Sequence, residues 1–163
     1  MRILLLALGL AASAARSAQS QLLPPSPQHV SVAAGPGLVT APAGGSVSVW
    51  VDVTPKPTIH VYAPGAKDFQ AVALVVSPLP GVIVGKIGYP PGTPTVFAGL
   101  AAPVPVYQKT FRITVPLRLA RTLVAGETIN VAGTVNYQAC DDRVCFPPAS
   151  APVVWPVKVG AFR

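Results

Sequence analysis

Short apolar segments that alternate with polar residues recur along this chain, Pro- and Gly-rich punctuation separates them, and no amphipathic helix interrupts them. Together these features predict an all-β fold, an antiparallel immunoglobulin-like β-sandwich. About seven to nine such segments can be drawn, the number expected of that architecture. The 20 prolines would break most candidate helices. No internal repeat is visible.

The chain opens with Met1-Arg2 and a run of Leu, Ala and Gly from Ile3 to Ala15. Ala18-Gln19-Ser20 then supplies a small-x-small cleavage pattern, and a cut after Ala15 also fits. Residues 1–20 are read as a secretory signal peptide, since a membrane-spanning helix needs about 20 apolar residues. No cysteine lies near the cut, which excludes a lipid-anchored lipoprotein. No membrane span is expected after cleavage. Residues 21–45 are rich in Pro, Gly, Ser and Ala and read as a flexible lead-in, with an edge strand at His29 to Ala33 within it. Residues 46–163 form the expected domain, a length that suits a single core.

Within that domain Val47, Val49, Val51 and Val53 share one face of a half-buried strand, and Pro55 and Pro57 end it. Trp50 is out of phase with those valines and suits the surface or a second packing layer. Thr58 to Ala63 is a short strand followed by a Pro64-Gly65 turn. Phe69 to Val76 and Val82 to Ile87 are two more. Gly88 to Pro105 is the least regular stretch, with five prolines around Phe97-Ala98-Gly99. Long loops of this kind in small domains are often functional. Val106 to Leu119 is the longest strand pattern, with Phe111, Ile113, Val115 and Leu117 on one face. Thr128 to Gln138 carries Ile129, Val131, Val135 and Tyr137 on one face. Val153, Trp155, Val157 and Val159 alternate in the last strand, which places Trp155 in the core.

Charge narrows the function. The formal net charge is +7, and the signal peptide takes Arg2 and Arg16 with it. The remaining Lys and Arg are scattered, whereas a nucleic-acid footprint needs a concentrated patch. No nucleic-acid partner is expected. Two cysteines and the distant His29 and His60 make no four-ligand zinc site, so no metal site is expected. One methionine excludes a methionine-rich copper carrier. No Ser/His/Asp set, paired carboxylates or phosphate-binding glycine loop is present. His60 reads as an ordinary strand residue rather than a general base.

The densest chemistry lies in Tyr137-Gln138-Ala139-Cys140-Asp141-Asp142-Arg143-Val144-Cys145-Phe146-Pro147-Pro148, which holds both cysteines. In an oxidising compartment two thiols usually pair. A hairpin with four intervening residues can bring the Cα atoms within the required ~7 Å. Such a short ring would stabilise the fold by only about 2 kcal/mol, against more than about 4 for one joining distant strands. A short exposed ring is also open to thiol attack. Asp141 and Asp142 would raise a neighbouring thiol pKa and Arg143 would lower it. On these grounds a staple and a redox pair stay equally open.

These residues resemble a known family. Tyr137-Gln138-Ala139-Cys140 followed by Cys145-Phe146-Pro147-Pro148 is similar to the signature of the N-terminal periplasmic domain of DsbD, a bacterial thiol:disulfide interchange protein. Ile59-His60-Val61-Tyr62-Ala63-Pro64-Gly65, Gly88-Tyr89-Pro90, Phe97-Ala98-Gly99 and Val106-Tyr107 follow the family's order, so the resemblance covers about residues 29 to 159. It implies an immunoglobulin-like periplasmic domain that relays reducing equivalents through Cys140 and Cys145, with the disulfide as its redox group and no other cofactor. A thioredoxin-like protein or domain would be the electron donor. An exported disulfide isomerase or a cytochrome c maturation thiol protein would be the acceptor. By the same resemblance Cys145 is the nucleophile, Cys140 the resolving thiol, Phe97 part of a cap loop, and Tyr62 a residue lining the site. The multi-span membrane domain and C-terminal thioredoxin-like domain of full-length DsbD are not seen, which implies a stand-alone module with separate partners. Phe97 to Val106 also lacks the acidic residues found there in the best-known members. The competing expectation is a non-enzymatic β-sandwich that binds protein and keeps a structural disulfide.

Overall fold

The computed structural model describes residues 29–162, and the signal-peptide reading of residues 1–20 lies outside them. Twelve strands follow in order: β1 (Val30–Gly35), β2 (Val39–Pro42), β3 (Ser46–Pro55), β4 (His60–Tyr62), β5 (Ala73–Val76), β6 (Val82–Val84), β7 (Thr93–Thr95), β8 (Val104–Tyr107), β9 (Phe111–Leu119), β10 (Thr128–Tyr137), β11 (Ala139–Cys140) and β12 (Ala149–Gly160). They form three four-stranded sheets, ordered β1-β3-β9-β6, β2-β12-β10-β5 and β11-β4-β8-β7. The pairings are antiparallel except for β2 on β12, which is parallel. The fold is an all-β, immunoglobulin-like β-sandwich.

The first two sheets enclose the main core. Val49, Val51 and Val53 of β3 and Ile113, Val115 and Leu117 of β9 meet Val131, Val135, Trp155 and Val157 of β10 and β12 in one cluster. The period-two alternation of these strands sends every second side chain inward. Trp155 is fully buried, and its indole N–H donates to the Trp50 carbonyl at 2.7 Å. That bond removes the penalty of burying the indole's polar edge. Trp50 itself faces out, with the Arg112 guanidinium 4.4 Å from its ring centre. Arg112 also forms a two-pronged ion pair with Asp52 at 2.7 Å.

Three sequence expectations need correction. The flexible lead-in is narrower than expected: the edge strand expected at His29 to Ala33 is β1, at the edge of its sheet, but β2 was not expected, and Val30 and Ala41 are buried. The Gly/Pro/Ala composition does not show how far along the chain the partners of these strands lie. Gly35 illustrates this: it pairs with Trp50, and a Cβ there would sit 2.5 Å from the indole nitrogen. The expected strand from Val106 to Leu119 is two strands in different sheets, broken at Gln108 to Thr110. Buried positions run even at Val104 and Val106 and odd from Phe111 onward, so the alternation slips at the break. The strand expected from Phe69 begins at Ala73.

β12 carries Pro152 and Pro156 although it lies between two neighbours. β2 covers it only along Val157–Gly160. Both prolines therefore lie where one side of the strand is open, and the missing N–H leaves no broken ladder there.

Candidate functional site

The site is built on the third sheet, and β4 explains why it has two faces. Side chains alternate along a strand, so Val61 enters the main core while Tyr62 turns to the opposite side. There Tyr62, Val104, Val106 and Cys140 form a second, smaller cluster, with Ala66, Phe69 and Phe97 packed against it.

The chain reaches this sheet directly from β10. Tyr137 ends that strand in the second sheet, and Ala139 and Cys140 then pair with Val61 and His60 of β4. The chain reverses at once. The Phe146 N–H donates to the Ala139 carbonyl at 2.8 Å and the Asp141 N–H to the Val144 carbonyl at 3.0 Å. Asp142 and Arg143 are left as the tip of a tight hairpin. Its turn is held by the Asp141 carboxylate, whose Oδ1 accepts from the N–H groups of Arg143 and Val144, both at 2.8 Å. An aspartate that bonds backbone two residues on is a standard turn former. The Val144 and Arg143 amides hold the Asp141 carboxyl below the usual carboxylate range. Beyond the hairpin, Phe146 stacks on His29 with ring centres 3.7 Å apart.

Cys140 and Cys145 face each other across this hairpin and form a disulfide. The two sulfurs have unlike surroundings. Cys140 is wholly buried, at 0 % exposure, whereas Cys145 is exposed. The Tyr62 hydroxyl lies 3.9 Å from the Cys145 Sγ. A disulfide sulfur carries no hydrogen, so the hydroxyl is the donor. Burial pushes the Tyr62 pKa up, which keeps that proton in place at neutral pH. Tyr62 is itself held flat against Phe69, with ring centres 4.2 Å apart.

Phe97 lies between β7 and β8 on a tight turn. The Leu100 N–H donates to its carbonyl at 3.1 Å, and Gly99 takes the positive φ of 84° that such a turn requires. The Phe97 ring is 4.6 Å from that of His60. Phe97 packs against the cluster that holds Cys140, while Cys145 keeps an exposed face. Cys145, Cys140, Tyr62 and Phe97, each singled out in the sequence, all line one open hollow of about 180 Å³.

Two residues of this hollow escaped the sequence reading of the site. Phe69 sits in an irregular stretch, and its stacking on Tyr62 has no signature in spacing. His60 was read as an ordinary strand residue. It lines the hollow beside Cys140, is 2 % exposed and makes a T-shaped contact with Tyr62. Burial lowers its pKa, and Asp142 and Asp141 oppose that shift. The signal was the period-two step from Tyr62 to His60, which puts both on one face.

The arrangement suits in-line attack on a disulfide. Cys145 is open to solvent and Cys140 is not. His60, Tyr62, Phe69 and Phe97 line one part of the hollow that holds the pair, and Asp141, Asp142, Arg143 and Val144 of the hairpin line another.

Comparison with known proteins gives the family and supports the fold. The family model for the N-terminal part of thiol:disulfide interchange protein DsbD matches residues 19–153. No curated protein matches the chain at a significant level. Among solved structures, the N-terminal periplasmic domain of ScsB from Proteus mirabilis superposes with a TM-score of 0.56 at 16% identity. That match covers 82% of this chain and 49% of the other, so the chain spans about half the length of the ScsB domain. A family 123 glycoside hydrolase from Clostridium perfringens matches at a TM-score of 0.45 and 10% identity, over 83% of this chain and 28% of that one. The ScsB likeness supports the fold, and the family model runs from before β1 into the start of β12, taking in the aromatic hollow and both cysteines. The chain belongs to the DsbD N-terminal family of thiol:disulfide interchange proteins.

Proposed function

We propose that this chain is a periplasmic thiol:disulfide exchange module that carries reducing equivalents on the Cys140–Cys145 pair. The carrying observation is the asymmetry of the pair, with one sulfur exposed and the other wholly buried at the end of a β-scaffold. Cys145 is the sulfur that a partner's thiolate attacks, and Cys140 is the resolving thiol. Tyr62 lines the attacked side, and the Phe97 loop caps the buried side until a partner docks. Exposed Val144 and Leu100 flank the same hollow and offer apolar surface to that partner. The pair is its own redox group, and no cofactor is invoked. The donor is a thioredoxin-like protein or domain. The acceptor is an exported protein thiol, of the disulfide-isomerase or cytochrome-maturation kind.

A thioredoxin-like donor should reduce the pair while the circular dichroism of the folded sandwich stays unchanged. Reduction seen only together with unfolding would assign the disulfide a purely structural role. In a Cys140→Ser variant the lone Cys145 thiolate can attack the disulfide of an oxidised partner but lacks the neighbour that would resolve the product, so the variant should accumulate a mixed disulfide with that partner. Identifying the attached protein names that partner.

A further inference from the structure

His60 Nε2 is the one buried side-chain nitrogen or oxygen among the described residues with no hydrogen-bond partner. Such an atom is rare in a folded protein and calls for an explanation. Its surroundings supply one. His60 is paired directly with Cys140 across the β4–β11 ladder, and directly opposite side chains share a face with Cβ atoms about 5 Å apart. Phe97 covers the imidazole on one side, Tyr62 meets it edge-on, and both sulfurs line the same hollow. The oxidised pair offers His60 little, because a disulfide sulfur has no proton and accepts weakly. Reduction changes this. Once the bond opens, a thiolate stands at Cys140, a position buried in the oxidised protein.

We infer that His60 is a catalytic residue of the exchange, its imidazole N–H donating to the Cys140 thiolate that leaves when Cys145 is attacked. The inference rests on the exchange reading above and deepens it. In the first step a partner thiolate bonds to Cys145 Sγ, the Sγ–Sγ bond breaks, and its electron pair stays on Cys140. The imidazole stabilises that anion until a proton from water makes it a thiol. In the second step the partner's other thiol loses its proton and attacks the partner's first sulfur. The partner disulfide forms, and Cys145 leaves as a thiolate that takes up a proton. Two electrons and two protons have then moved from the partner to the pair.

Burial lowers the pKa of His60, so at neutral pH it is the uncharged imidazole, which has one N–H to give. The charged groups that face it are Asp141, Asp142 and Arg143 from the hairpin, with Tyr62 beside it and the two sulfurs opposite. The two aspartates disfavour a thiolate at this place. A donor at Cys140 is what offsets them.

The test uses a Cys145→Ser protein, in which Cys140 is the lone thiol, with and without His60→Phe. Thiolate absorbance followed against pH gives the Cys140 pKa. Loss of the imidazole should raise it by about one unit, the scale expected for a lost hydrogen bond to the charged form. In the intact pair His60→Phe should lower the reduced-to-oxidised ratio at fixed dithiothreitol about tenfold at pH values above the Cys140 pKa of both proteins, and little below them. His60→Gln keeps an N–H but cannot titrate, and it should recover part of both effects. An unchanged Cys140 pKa in His60→Phe would overturn the inference. If His60→Phe does not fold, the imidazole nitrogen resonances of the wild-type protein decide. They should shift between the oxidised and reduced states, and identical shifts would overturn the inference equally. The Cys140 titration needs no partner, so it stands even if no thioredoxin-like donor reduces the protein, an outcome that would count against the exchange reading alone.

Discussion

Cys145 and Cys140 differ in exposure because the hairpin gives one sulfur to solvent and the ladder with β4 buries the other. The sequence placed both in a loop after a strand, and the family resemblance ranked them. The stacking that frames them was not legible, since Phe69 and Phe97 reach Tyr62 and His60 from separate loops. His60 was in view and misjudged: a histidine on an apolar strand is usually a satisfied core residue, and only the structure reveals its unpaired nitrogen. A buried polar atom without a partner costs about 1–3 kcal/mol. His60→Phe should therefore leave the oxidised protein at least as stable as the wild type in urea unfolding, by up to about 1–3 kcal/mol. A marked loss would show that the imidazole is held by packing that Phe cannot reproduce. Tyr62→Phe removes a long sulfur contact and should change oxidised-state stability by less than about 1 kcal/mol. The same change should raise the pH at which reduced Cys145 reacts with iodoacetamide, because its thiolate loses a donor.

At the scale of elements, the hairpin tip and the irregular 88–105 stretch each have a side-chain anchor besides their backbone bonds. Alternation made the long strands readable, but neither of these anchors follows from periodicity. Asp141 fixes the tip by accepting from Arg143 and Val144. Its folded pKa is depressed, so this support is fully present above the unfolded aspartate value of about 3.9 and fades as pH falls through the folded one. Protection of the Arg143 and Val144 amides, measured against the intrinsic exchange rate at the same pH, should fall on acidification below about pH 4. Asp141→Ala should show the same loss of protection at neutral pH. Asp141→Asn should not, because its amide oxygen can still accept both bonds. Tyr107 anchors the other stretch by donating its hydroxyl to the Pro90 carbonyl at 2.5 Å. Burial first, and then Tyr89, push its pKa up to about 12. The sign is opposite here. The stability it contributes is whole below the ordinary phenol value of about 10 and is lost as pH rises through about 12. Alkaline unfolding should therefore begin in that window, and Tyr107→Phe should remove most of the dependence there while lowering stability at pH 7.

For the whole molecule, the question is what holds the sandwich together, and the core answers it without the disulfide. Val49, Val51, Val115, Val131 and Trp155 were legible as core from alternation alone, and all are buried to 0 % exposure. Of the edges, β1 was legible in part, at His29 to Ala33, but β2 was not, because it owes its order to β12 rather than to its own composition. The cysteines are only five residues apart, so opening their ring frees little chain. The double variant Cys140→Ser, Cys145→Ser should thus cost about 2 kcal/mol. Trp155→Ala should cost more, about 3–5 kcal/mol, since it opens a cavity between the sheets and leaves the Trp50 carbonyl without its donor. Urea unfolding of the two variants beside the wild type checks the order. If the cysteine variant proved the less stable of the two, the ring would be a main support of the fold. A carrier must open that ring in every cycle and stay folded, so such an order would be incompatible with the relay. The expected order, with the tryptophan dominant, lets the pair be reduced and reoxidised at one end of the scaffold while the core stays intact.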